Sequence, residues 1–123
     1  MKRLLSALVL AATAASASDT PVLEAEIPGE VLALTPAHIA GAAVKTNDGG
    51  PQLYFMLTAP AGRAFAKLTG KAVGEPLTLR ICGQTLATAI IRTPIESGAV
   101  VVPVPDIPKG EHFADILRGR TGC

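Results

Sequence analysis

Aromatic residues are scarce in this sequence, which has no tryptophan, one tyrosine and three phenylalanines among 123 residues. Surfaces that stack bases or sugars need several aromatic rings, so such ligands are not expected. Charge of one sign is also lacking, because 11 lysines and arginines stand against 10 aspartates and glutamates. Without a basic patch, nucleic acids and anionic membrane surfaces are poor partners. The core must therefore be built from aliphatic side chains.

Motifs that organise catalysis or bind cofactors are absent as well. Neither of the two histidines, His38 and His112, has a cysteine or carboxylate beside it at zinc-like spacing. Ser97 lies in Glu-Ser-Gly and not in the G-x-S-x-G of hydrolases, so it is expected to be a turn residue. The glycine-rich segments lack the context of a phosphate-binding loop. The sequence thus predicts no catalytic residue, no cofactor and no metal site, and a protein that is not an enzyme.

The N-terminus has the organisation of a secretory signal peptide. Basic residues at positions 2 and 3 precede an apolar run over Leu4–Ala12, and small residues follow at Ala15 and Ala17. A membrane anchor or a buried helix is the alternative, but the run is well short of the roughly 20 residues that a membrane span needs. Cleavage after Ala17 would leave a single domain of residues 18–123, periplasmic or secreted in a bacterium, with no transmembrane segment.

The sequence has two cysteines, Cys82 and Cys123. In an exported protein two cysteines usually pair, and a loop of about 40 residues would stabilise the fold by roughly 4 kcal/mol. The alternative is a buried Cys82 and a free thiol at the terminus. No C-x-x-C motif is present, so a redox role is not expected.

The stretch from Pro51 to Ile95 organises the rest of the pattern as strand, helix, strand, tight turn and strand. Its first apolar run stops at Thr58, which predicts a helix N-cap with Pro60 in the first turn. An apolar stripe with a helical period follows at Ala61, Ala64, Phe65 and Leu68. An alternating strand then reaches Cys82, and a turn at Gly83-Gln84 leads to the last strand.

The remaining segments complete the predicted fold. Asn47–Gly50 predicts a hairpin turn, residues 99–104 predict a short strand, and Asp106 opens a final helix. Val22–Ile27 alternates apolar and acidic residues and predicts an edge strand or an extended arm. This order predicts an α+β fold, a two-layer sandwich of ferredoxin-like type in which an antiparallel sheet of four to five strands has two helices on one face.

Strand alternation also predicts an apolar face on the far side of the sheet. If Leu53, Phe55 and Leu57 face the helices, Tyr54 and Met56 point the other way. An exposed apolar face is typical of a partner-binding surface, so these two residues are the candidate site. The alternative is that residues 22–34 fold over this face, and the sequence leaves both open.

The central pattern resembles the first periplasmic head domain of SecD, a membrane subunit that assists the Sec protein-export channel. The matching segments, in order, are the strand LYFMLT, the helix PAGRAFAKLTGKAVGEPL, the hairpin LRICGQTLATAIIRTPI and the closing EHFADILRGRTG. They run from about Ala40 to Gly119. In two departures, Cys82 stands where the family usually has aspartate before the turn glycine, and Ala89 stands where it has proline.

The resemblance implies a free-standing head domain that contacts unfolded or exported polypeptide or a Sec-related envelope protein. SecD itself has transmembrane helices that couple proton flow to protein movement, and no segment here matches them, so motor activity is not implied. The expected function is that of a periplasmic, non-enzymatic binding or accessory domain linked to protein export. The alternative is a structural or regulatory module that associates with itself and has no export role.

Overall fold

The computed structural model describes residues 20–123, and the predicted signal peptide with its cleavage point after Ala17 lies outside this range. Within it the chain forms seven strands, two α-helices and a short 3-10 turn. The strands are β1 (Leu23–Ile27), β2 (Glu30–Leu34), β3 (Ile39–Asn47), β4 (Gly50–Leu57), β5 (Pro76–Ile81), β6 (Gln84–Ile90) and β7 (Ala99–Pro103). The helices are α1 (Ala59–Gly70) and α2 (Ile107–Leu117). None of the helices among residues 20–123 has both the length and the apolarity that a membrane crossing requires.

The strands are divided between two antiparallel sheets. The larger sheet has the order β2-β1-β5-β6, and the smaller sheet has the order β3-β4-β7. The α+β sandwich expected from the sequence is confirmed. The seven strands, however, lie in sheets of four and three and not in one sheet of four to five. The reason is that β6 pairs with β5 and β7 pairs with β4, while β6 and β7 do not pair with each other.

Strand β1 is an interior strand, so the expectation of an edge strand or an extended arm is wrong. It pairs with β2 on one side and with β5 on the other. Its alternation decides only which face is buried, and Leu23, Ala25 and Ile27 lie on that face. Glu26 lies on the opposite face and pairs with Arg80 of β5 at 2.6 Å. Residues 22–34 therefore belong to the four-stranded sheet.

Helix α1 begins where the sequence predicts. Thr58 is its N-cap residue in an extended conformation, although its side chain makes no capping hydrogen bond. Phe65 and Leu68 of the predicted stripe are buried, whereas Ala64 is exposed. Thr69 is also buried, and this polar residue was not part of the predicted stripe. The helix contacts β1, β2 and β4, so it lies over both sheets.

Helix α2 packs on β3 and β4 of the smaller sheet. Asp106 caps it, because its carboxylate accepts a hydrogen bond of 2.7 Å from the backbone N–H of Lys109. Gly110 lets the helix approach the sheet closely. A Cβ atom at this position would lie 2.9 Å from Cγ2 of Val44 and 3.0 Å from Cγ2 of Val104.

A disulfide links the β5–β6 turn to the last residue of the chain. Cys82 and Gly83 form a two-residue turn with φ values of 53° and 78°, as a type I′ hairpin requires. Cys82 is bonded to Cys123, with Cα atoms 5.5 Å apart and a sequence separation of 41. The expected pairing is confirmed, and the alternative of a buried Cys82 with a free terminal thiol is wrong, since both cysteines are exposed.

Candidate functional site

The outer face of the smaller sheet is apolar and unoccupied by any other element of the described chain. We call it the open face and define it by seven residues on three strands, which are Gly41, Ala43, Lys45, Tyr54, Met56, Ala99 and Val101. Alternation along β4 explains its position, because Leu53, Phe55 and Leu57 are buried on the inner side. The outward orientation expected for Tyr54 and Met56 is thus observed.

The strand register places small residues beside each large one. Tyr54 lies between Ala43 of β3 and Val101 of β7, and Met56 lies between Gly41 and Ala99. Since glycine and alanine do not fill the space around the larger side chains, a shallow groove of about 300 Å³ remains on this face. This volume lies at the lower end of the range typical of ligand pockets, roughly 300–1,000 Å³.

Polar contacts hold the tyrosine at one end of the open face. Its hydroxyl donates a hydrogen bond of 3.2 Å to Oε1 of Gln52. The same oxygen accepts a bond of 2.7 Å from Nδ2 of Asn47. The Nζ atom of Lys45 lies 5.1 Å from the centre of the Tyr54 ring, within the range of a cation–π contact. The ring is therefore oriented before any partner arrives, and Lys45 adds one positive charge beside it.

The rest of the open face is apolar and accessible. Met56 is 45% exposed and Val101 is 47% exposed, so both are among the most exposed large hydrophobic residues of residues 20–123. No residue of the 22–34 segment lines the groove, so the alternative in which that segment covers Tyr54 and Met56 is wrong. Burying these side chains against a partner would be favourable by about 25 cal/mol for each Å² of apolar surface removed from water.

The two histidines and Ser97, which were also noted in the sequence, are not among the seven residues of the open face. The backbone N–H of Thr35 donates to Nδ1 of His38 at 3.0 Å. Ser97 is a turn residue, as expected, and its hydroxyl accepts a bond of 3.2 Å from the N–H of Ala99. His112 is exposed on α2. Among residues 20–123, no three histidine, cysteine or acidic side chains come together as metal ligands would.

Lys45 and Val101 were missed by the sequence reasoning. Alternation along its own strand places each of these side chains on the outer face. Alternation does not show which strands flank β4, or in which register they pair with it. The signal that could have found them is the hairpin turn after Asn47, because a short turn sets the register of β3 on β4. For Val101, on a strand that returns after 41 residues of other structure, no comparable local signal exists.

Comparison with known proteins gives one consistent result. No protein-family model matches the chain, and no curated protein matches it. A structure of SecDF, described as a membrane component that enhances protein export, superimposes with a TM-score of 0.64 and 25% identity over 70% of this chain. A crystal structure of SecDF in its super-membrane-facing form gives the same TM-score, identity and coverage of this chain.

The likeness involves only part of those proteins, because this chain spans 40% of the first SecDF chain and 12% of the second. It is consistent with the sequence motifs that pointed to a SecD head. In fold and in sequence the described domain is SecD-head-like, and the resemblance expected from its motifs is confirmed.

Proposed function

We propose that this protein is a non-enzymatic accessory domain of protein export, located in the periplasm or secreted, which binds polypeptide through its open face. The observation that carries the proposal is an accessible apolar face, centred on Tyr54 and Met56, on a SecD-head-like fold. The partner is an unfolded or exported polypeptide, or a Sec-related envelope protein.

The likeness to SecDF supports a role in protein export, but it does not support the complete activity of SecDF in this chain. SecDF is described as enhancing protein export, and this chain corresponds to a minor part of its length. A domain of this kind would contribute contact with a translocating or partner chain. A weak, adaptable contact suits that role better than a tight one, because a chain in transit must be released.

The chemistry of the open face fits such a contact. Methionine is flexible and polarizable, so Met56 adapts to different side chains. Tyr54 combines a large apolar ring with a hydroxyl that is already hydrogen-bonded, and such residues are enriched in binding surfaces. With Lys45 as its single charge, the face disfavours basic segments and accepts apolar segments that carry an acidic residue.

The experiment is a binding titration of the purified chain with a fluorescently labelled, reduced and carboxymethylated polypeptide, followed by anisotropy. Tyr54→Asp and Met56→Asp should each weaken binding about fivefold or more, since the loss of a central apolar contact costs upwards of about 1 kcal/mol. A pull-down from periplasmic extract with the same proteins would identify the natural partner.

Val73→Asp is the matched control. Val73 is 49% exposed, as Met56 is 45% exposed, but it lies outside the open face. Equal loss of binding in Val73→Asp and Met56→Asp would show that the open face is not the site. Failure of the unaltered chain both to bind unfolded polypeptide and to capture an exported or envelope protein in the pull-down would rule out the proposal. A mass that rises with concentration in sedimentation would then favour the self-associating module.

A further inference from the structure

A second apolar recess lies where the two sheets meet. It has a volume of about 400 Å³ and is bordered by β5 and β6 of one sheet and by β7 of the other. Its lining includes Phe65, Leu77, Leu79, Ala89, Val100 and Val102. We call it the edge cleft, because β6 and β7 are both edge strands and do not pair with each other. We propose that the edge cleft binds an uncharged, extended segment of another polypeptide, which adds as a strand.

The pairing of β7 with β4 shows which backbone groups of β7 remain free. The N–H of Leu57 donates to the carbonyl of Gly98, and the N–H of Val104 donates to the carbonyl of Pro51. In an antiparallel pair the hydrogen-bonded positions alternate, so Val100 and Val102 also bond to β4. Val101 therefore directs its N–H and carbonyl away from β4, towards the unpaired edge of the smaller sheet.

Strand β6 also has backbone groups that its partner strand leaves free. The N–H of Ile91 donates to the carbonyl of Glu75, which sets the alternation of the β5–β6 pair. Ala89 bonds to β5, whereas Thr88 and Ile90 direct their backbone groups outward. Among residues 20–123 no backbone partner is found for these outward groups. The β6 wall thus offers the backbone groups of Thr88 and Ile90 to an added strand, and the β7 wall offers those of Val101.

Charge selects the kind of segment that fits. Edge strands are normally protected by charged residues, and lysine is especially common there. The strands QTLATAI and AVVVP have no charged residue, and no charged side chain lines the edge cleft. A charged segment would lose its hydration there without gaining a partner. The occupant is accordingly an uncharged segment, such as an unfolded chain presents before its own strands have formed.

This inference rests on the proposed function, because it assigns a second site for the same class of partner. The probe is a fluorescent, end-capped peptide of alternating threonine and valine, about six residues long, which is a typical strand length. A second, control peptide has N-methyl groups on alternate residues, so one edge of the peptide strand cannot donate hydrogen bonds. We expect the first peptide to bind the full chain and the methylated one to bind at least about fivefold more weakly, the effect of losing about one hydrogen bond.

Matched variants locate the binding. Thr88→Pro removes an outward N–H, and Thr88→Ala removes the same side-chain contact with Thr78 but keeps the N–H. We expect Thr88→Pro to weaken peptide binding about fivefold more than Thr88→Ala does, since only the proline variant loses the backbone N–H. A second pair of variants changes side chains without removing a backbone N–H. Ala89→Asp places a charge in the edge cleft, whereas Ile90→Asp places one on the opposite face of the same strand.

Each outcome bears on one of the two proposals. If the two variants of each pair bound the peptide equally, or if the chain bound both peptides equally, the edge cleft would not be the peptide-binding site. Peptide binding lost in Met56→Asp but kept in Ala89→Asp would place the peptide on the open face, so the proposed function would stand and this inference would fall. Dimerisation that Thr88→Pro abolishes would show that a second copy of the chain, and not an unfolded polypeptide, occupies the edge.

Discussion

At the scale of single residues, Thr69 connects two distant parts of the chain. Its hydroxyl donates a bond of 3.0 Å to the carbonyl of Phe65 and accepts a bond of 2.9 Å from the N–H of Ile95. The side chain is fully buried. Helix α1 is thereby attached to the segment that leads from β6 to β7, beside the edge cleft.

Thr69→Val should destabilise the protein by about 1–3 kcal/mol, because it leaves the N–H of Ile95 without its partner while keeping the shape of the side chain. The measurement is urea denaturation followed by circular dichroism. Thr46→Val is the control, since Thr46 is exposed and should change stability by less than about 0.5 kcal/mol. Equal effects of the two substitutions would contradict this role of Thr69.

At the scale of elements, the close approach of α2 to the smaller sheet depends on the lack of a side chain at Gly110. Gly110→Ala should destabilise the protein by about 1–3 kcal/mol, because the new methyl group meets Val44 and Val104 at 2.9 and 3.0 Å. The midpoint of thermal unfolding is the measurement.

Helix α1 supplies the matched comparison. A Cβ atom at Gly62 would lie 3.6 Å from the nearest atom, the Cα of Gly98, which is an ordinary contact. Gly62→Ala should therefore stabilise the protein by up to about 1 kcal/mol through helix propensity. If both substitutions changed stability in the same direction, packing of α2 would not be the reason for the glycine at position 110.

At the scale of the whole molecule, the disulfide ties the C-terminus to the four-stranded sheet. Reduction, or the double substitution Cys82→Ser with Cys123→Ser, should lower the free energy of unfolding by roughly 4 kcal/mol in the chain-entropy model. Thermal unfolding with and without reductant measures this loss. The double variant is its own control, because its unfolding should not respond to reductant. An unaltered midpoint on reduction would show that the terminus contributes little to the fold.

The sequence by itself determined the local elements, the disulfide partners and the outward direction of Tyr54 and Met56. The elements and the outward direction follow from short-range causes, namely periodicity, capping residues and turn chemistry, and the disulfide follows from the presence of two cysteines in a chain expected to be exported. Only the tertiary structure decided that β1 is interior, that Lys45 and Val101 join the open face, that Thr69 holds Ile95, and that β6 and β7 remain unpaired. Alternation with a period of two is the same whichever strand lies alongside, so pairing between strands distant in sequence is settled by packing of the whole core.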